Sequence, residues 1–146
     1  MKKILLVGIL LMVAVLGQAA FAVTPALIGG VRDGLAIGIM ADAQTKNSNL
    51  GIRYGFEANT GGNPIILFFG GKFFLTNIEA KTPLSLGLGL IGYLGASSSG
   101  DYKDSNLGIS VSAIFDRPFG IEPMFIETGI DIAGTGRLQL QAGYRY

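Results

Sequence analysis

Residues 50–58 read Leu-Gly-Ile-Arg-Tyr-Gly-Phe-Glu-Ala, a strict alternation of two kinds of side chain. Every second residue, beginning with Leu50, is apolar, and the residues between them are glycine, Arg53 and Glu57. Successive side chains of a β-strand point to opposite faces, so a period of two is typical of a strand that separates two environments. The stretch therefore predicts a β-strand with one apolar face and one polar face.

The same alternation recurs along the chain, and the stretches that carry it are separated by segments rich in Gly, Asn, Asp, Ser and Pro. These residue types supply the backbone conformations of tight reversals. Strands joined by such short turns pair as antiparallel hairpins. Alternation is clear in residues 35–42, 50–58, 84–90, 107–115, 124–132 and 137–146. The predicted turns are residues 44–48, 59–63, 77–83, 97–104, 116–120 and 134–136.

A seventh segment, residues 65–75, is apolar on both faces and is interrupted by Gly70 and Gly71. Glycine within a strand often marks a β-bulge, and we expect one at this pair. If the strands close into an up-and-down barrel with both termini at the same end, their number must be even. We therefore expect an eighth strand in residues 24–32, followed by a turn at residues 32–34. Two alternatives are that residues 24–32 continue the next strand, or that residues 65–78 form two strands.

The two faces differ sharply in charge. The apolar face carries no charged residue in any of the seven segments, whereas the other face mixes glycine, serine and glutamine with four acids and four bases. A soluble protein normally needs a well-charged exterior, and this glycine-rich face carries too few charges to be one. The interior of a barrel of about eight strands is only wide enough for side chains, and small residues with balanced charges fit there. The pattern favours an all-β fold, an antiparallel up-and-down transmembrane β-barrel of about eight strands. The charges predicted to lie in its lumen are Asp42, Arg53, Glu57, Lys72, Glu127, Asp131, Arg137 and Arg145.

The alternative fold is a soluble periplasmic β-barrel that binds an apolar ligand in its interior. This alternative turns the apolar face inward and places Leu35, Ile52, Leu86 and Ile109 in the cavity. The residue alternation is the same in both folds, so the direction in which the apolar face points distinguishes them.

The first residues indicate secretion. Lys2 and Lys3 precede an apolar run at residues 4–17, and Ala20-Phe21-Ala22 provides small residues at the −3 and −1 positions of a cleavage site. The run is shorter than the roughly 20 apolar residues of a membrane-spanning helix. We therefore predict a cleaved signal peptide at residues 1–22 and a single barrel domain at residues 23–146.

Composition argues against several functions. The chain has no Cys and no His, so it lacks disulfides, thiolate metal sites and the commonest general base. Its formal net charge of +1 gives no electrostatic footprint for nucleic acid. Glu127 and Asp131 share a face, and paired carboxylates can hydrolyse glycosides or bind calcium. Because acids and bases balance on that face, we predict a structural ion-pair network, with no catalytic, cofactor or metal site.

A second candidate calcium site is the polar stretch at residues 101–106, which contains two aspartates and an asparagine. The spacing of an EF-hand loop and its distal glutamate are absent. We interpret this stretch as a solvated hairpin.

The C-terminal strand carries the most specific pattern. Residues 138–146 place aromatic residues at the last position and two before it, with apolar residues alternating further back. This pattern resembles the terminal assembly signal of the small OmpA/OmpX-like outer-membrane β-barrels. The residues of the predicted assembly signal are Leu138, Leu140, Ala142, Tyr144 and Tyr146.

The resemblance implies a porin-like cell-envelope protein of the bacterial outer membrane, inserted by the barrel-assembly machinery, contacting outer-membrane lipid and remaining a monomer. Enzymes of this group generally use a catalytic histidine, which the chain lacks. We therefore expect a structural or surface-interaction role with at most a very narrow pore. With a periplasmic C-terminus, residues 59–63, 97–104 and 134–136 face outward, and residues 77–83 and 116–120 face the periplasm.

Overall fold

The computed structural model describes residues 21–45, 49–79, 81–95 and 105–146. Eight antiparallel strands form one closed barrel in which each strand pairs with the next and β8 pairs with β1. The predicted up-and-down barrel of eight strands is confirmed. The strands are β1 Phe21–Arg32, β2 Leu35–Thr45, β3 Leu50–Asn59, β4 Ile65–Ile78, β5 Thr82–Leu94, β6 Asn106–Asp116, β7 Met124–Ala133 and β8 Thr135–Arg145. Within the part of the chain described, no helix has the length and hydrophobicity needed to cross a membrane.

β1 is the predicted eighth strand, and it closes the barrel by pairing with both β2 and β8. Asp33 and Gly34 form the turn to β2, where Asp33 has a φ of 60° and the amide of Arg32 donates to the carbonyl of Gly34 at 2.8 Å. Both alternatives to this strand assignment are wrong. Residues 1–20 of the predicted signal peptide lie outside the described residues. β1 begins at Phe21, so the pairing includes Ala22, the last residue before the predicted cleavage.

β4 is one continuous strand, and the bulge predicted at Gly70 and Gly71 is wrong. The ladder to β5 passes through this pair without a break, and the register shifts instead between Phe74 and Thr76. Gly70 pairs with Gly89, and a Cβ on Gly70 would lie 2.7 Å from the Cα of Gly89. These glycines therefore permit the close approach of two backbones, the other common use of glycine in a strand.

The topology gives the barrel two distinct ends. The terminal end carries the N-terminus of β1, the C-terminus of β8 and the turns that follow β2, β4 and β6. The distal end carries the turns that follow β1, β3, β5 and β7. A strand of eleven residues with a rise of about 3.3 Å and a tilt of about 40° extends about 28 Å along the barrel axis.

Candidate functional site: the barrel lumen

The lumen contains all the charge that the strands carry. Ten charged side chains lie within the eight strands, and each has at most 16% of its surface exposed. They include all eight residues predicted from the alternation. The other two, Arg32 and Asp116, are the last residues of β1 and β6 and were expected to belong to turns. The five bases and five acids cancel, so the lumen of the strands is neutral overall.

Arg32 organises the distal half of the lumen. Its guanidinium contacts Glu57 at 2.7 Å and Asp131 through two nitrogens at 2.7 and 3.1 Å. The Tyr93 hydroxyl donates to Asp131 at 2.6 Å, and the Gln141 amide donates to Glu57. Glu57 and Asp131 are both fully buried, so two carboxylates share one guanidinium and depend on it for compensation.

Arg53 occupies the middle of the lumen and contacts Glu127 at 2.8 Å. The Ser112 hydroxyl donates to the other oxygen of Glu127 at 2.6 Å. The Nε of Arg53 has no hydrogen-bond partner among the described residues. Arg53 and Glu57, four residues apart on β3, therefore form ion pairs with different strands and not with each other.

Four side chains close the terminal half of the lumen, and we call them the terminal ring: Asp42, Lys72, Asp116 and Arg145. Arg145 contacts Asp42 at 2.8 Å and Asp116 at 2.6 Å. Lys72 contacts Asp116 at 2.7 Å and Asp42 at 3.8 Å. Each cation lies between both carboxylates, so the ring is closed and neutral.

Each of the four arginines in the lumen also lies over an aromatic ring. Arg32 is 5.3 Å from the centroid of Phe68, and Arg53 and Arg145 approach Phe125 at 5.2 and 4.6 Å. At the distal mouth, Arg137 lies 4.2 Å from the Tyr93 ring and contacts the Asp33 carboxylate at 3.2 Å. Cation–π contacts of desolvated arginine contribute up to about 2 kcal/mol each, so the aromatic rings help to hold the charges in the lumen.

Apolar side chains fill the space between the charged clusters, a feature that the sequence interpretation missed. Two buried clusters meet at Phe68, and Gly143 leaves room for Phe125, whose ring atoms would lie 2.0 Å from a Cβ at position 143. The signal was present for Met40, Ile66, Phe125 and Ala133, which have the same strand parity as the predicted lumen charges of β2, β4 and β7. The first cluster is Ala26, Ile28, Met40, Ile114 and Phe125, and the second is Ile66, Ile91, Tyr93 and Ala133.

The filled lumen leaves little free volume. A pocket of about 30 Å³ lies between Arg32 and Arg53 on the lumen side and Leu88 on the wall, which is room for about two water molecules. A larger cavity of 440 Å³ opens at the terminal end, above the terminal ring. In the described ranges, no group of three or more acidic side chains is arranged to hold a metal ion. The polar stretch at residues 101–104 lies outside them.

The outer face of the barrel is apolar and exposed. Leu35 and Ile109, which the soluble alternative requires in the cavity, are 66% and 51% exposed, and Ile52 and Leu86 are half-buried in the wall. The side chains of the predicted assembly signal also lie on this outer face. They are Leu138, Leu140, Ala142, Tyr144 and Tyr146.

The chain matches no protein-family model and no curated protein. The geometry of the lumen and of the outer face is therefore the basis for the functional argument.

Proposed function

We propose that this protein is an integral outer-membrane β-barrel with a structural or surface-interaction role, whose lumen is closed to all but the smallest solutes. The observation that carries the proposal is the separation of charge from apolar surface. The ten charged side chains of the strands lie in the lumen, whereas Leu90, Leu107 and Leu138 on the outer face are 63%, 85% and 76% exposed.

The exposed apolar surface is too extensive for a protein that is surrounded by water. Soluble monomers rarely expose a contiguous apolar patch of more than a few hundred Å², and here the apolar face extends around the barrel. Hydrocarbon solvates such a face, and a closed barrel leaves no strand edge unpaired within it. A barrel wall about 28 Å high also matches the apolar band of about 25 Å in known membrane barrels.

The filled lumen argues against a role in the transport of solutes through the barrel. Ion pairs at three levels, with Phe68 and Phe125 between them, fill the lumen and leave a pocket of about 30 Å³ at the wall formed by β4 and β5. Buried charges of this kind are tolerated because each is paired and hydrogen-bonded. A scaffold that closes its own lumen presents its turns to the surroundings, and the distal turns are where a surface interaction would take place.

We further propose that β8 is the strand by which the barrel-assembly machinery recognises the chain, as the likeness to OmpA/OmpX-like barrels implies. The last outward side chain of β8 is Tyr144, and its ring packs edge to face at 5.4 Å against Tyr146, which directly follows the strand. Replacing Tyr146 with Ser should lower the amount of assembled barrel in cells. Refolding of the same variant in detergent should be unchanged, because Tyr146 is 70% exposed and contributes little to the core.

The test of the proposed function combines cell fractionation with gel electrophoresis of unboiled and boiled samples. A closed barrel in the outer membrane predicts that the protein stays in the membrane pellet at high salt and migrates differently before and after boiling. Recovery of the native protein from the soluble periplasmic fraction, with no change of mobility on boiling, would overturn the proposal.

A further inference from the structure

The terminal mouth of the barrel is a blind cavity lined by charged, polar and apolar residues. Its volume of 440 Å³ falls in the range of small-molecule sites. The terminal ring forms its floor, and the filled lumen lies beyond that floor. The side-chain amides of Gln44, Asn49 and Asn77 line its wall. A cavity that is closed at one end can hold a ligand without passing it through the barrel.

The rim of this cavity presents one cation and one anion that form no ion pair within the described part of the chain. Arg117 and Glu122 line the cavity and are exposed, and neither forms an ion pair with any described residue. Both lie on the turn between β6 and β7. The amide of Arg117 donates to the carbonyl of Met124 at 2.9 Å, and the carbonyl of Arg117 accepts from Gly120 at 3.0 Å. The backbone that carries the two charges is therefore held in place before any ligand arrives, which lowers the entropic cost of binding.

The charges around the cavity select for a ligand of mixed charge. Three cations, Arg117, Lys72 and Arg145, line it together with three carboxylates. An anionic ligand would meet the carboxylates and a cationic ligand would meet the cations, and like charges in contact oppose binding. A small molecule with a free carboxylate and a free ammonium group can satisfy both rim charges at once.

We propose that the terminal cavity is a binding site for small zwitterionic peptides, with the ligand carboxylate on Arg117 and the ligand ammonium on Glu122. If the proposed function is right, the terminal end and this cavity face the periplasm. The binding site itself depends only on the closed barrel. Gln44, Asn49 and Asn77 in the wall would hydrogen-bond the peptide backbone.

The test uses the full barrel in detergent micelles and titrates it with trialanine, while nitrogen-15 NMR follows the amides of residues 117 and 119–122. The expected result is saturable shifts with a Kd of about 1 mM or tighter. Acetylating the amino end of trialanine, or amidating its carboxyl end, should each weaken binding about two- to fivefold, the range of an exposed ion pair. Arg117→Gln should weaken trialanine binding similarly and abolish the effect of C-terminal amidation.

Lys81→Gln is the matched control, because Lys81 is an exposed cation at the same end that does not line the cavity. Its affinity for trialanine should equal that of the unmodified chain. Absence of saturation at about 10 mM trialanine, equal binding of the blocked peptides, or an equal loss in Lys81→Gln would each overturn the inference. A barrel that passes the fractionation and boiling tests but fails this titration would disprove the peptide site alone.

Discussion

Replacing Arg32 with Met tests the idea that one guanidinium holds the distal lumen together. Arg32 is 2% exposed, and its substitution removes contacts of 2.7 Å to Glu57 and 2.7 Å to Asp131. Both carboxylates then remain fully buried without a cation in direct contact. Removing one partner of a buried ion pair costs about 3–5 kcal/mol, because the remaining charge stays desolvated. We expect the free energy of unfolding to fall by at least this amount.

The assay is urea unfolding in phospholipid vesicles, followed by the fraction of protein that keeps its unboiled gel mobility. Arg117→Met is the control, because it makes the same change at an exposed turn residue and should alter stability by no more than about 0.5 kcal/mol. The triple variant Arg32→Met, Glu57→Gln, Asp131→Asn removes all three charges and should recover most of the loss. A loss below about 1 kcal/mol for Arg32→Met would refute the reasoning, since the carboxylates would then be solvated.

Three further results are expected. Gly143→Ala should destabilise the barrel by about 1–3 kcal/mol in the same assay, because the new methyl group meets the Phe125 ring, whereas Gly136→Ala meets nothing within 4 Å and should be neutral. Leu88→Arg, halfway along β5, should lower the free energy of unfolding in vesicles by about 2–4 kcal/mol. Leu107→Arg, near the distal rim, should lower it by only about 0–1 kcal/mol. Equal losses would contradict a lipid-facing wall. Planar bilayers containing the protein should stay electrically silent, and regular single-channel steps would show that the lumen is open.

The barrel was predictable because six of its eight strands alternate clearly and its turns use residues with specific backbone preferences. The period of two was enough to predict which residues of β3 and β8 point outward. The bulge was mispredicted because a glycine pair has two uses in a sheet. Gly70 and Gly89 allow close backbone contact across one ladder, and only the pairing of β4 with β5 reveals that use.

The partners within the lumen were not predictable from spacing along the chain. Glu127 and Asp131 share a face of β7, yet they bond to Arg53 and Arg32 on different strands, because barrel closure decides which side chains meet. Arg32 itself was missed because a charged residue beside Asp33 and Gly34 is typical of a turn. The alternation alone does not predict the apolar filling, because it assigns apolar residues to the outer face, whereas a narrow lumen also needs apolar volume.

The contacts of the aromatic rings in the lumen were unpredictable for the same reason, because barrel closure decides which side chains meet. Phe125 has the parity of Glu127 and Asp131, so its inward direction was readable, but its position between Arg53 and Arg145 was not. That position depends on the register of strands far apart in sequence. Sequence alternation thus determines the face of a residue, while the closed sheet determines its neighbours.

The central claim is that hydrocarbon covers the outer face, and an introduced tryptophan tests it most directly because the chain has none. Leu88→Trp places the probe on the outer face in the middle of β5, and Phe119→Trp places it on an exposed turn at the terminal end. In vesicles of lipids brominated near the middle of the acyl chain, we expect strong quenching of tryptophan 88 and weak quenching of tryptophan 119. Unquenched fluorescence at position 88 in a correctly folded barrel would contradict the account.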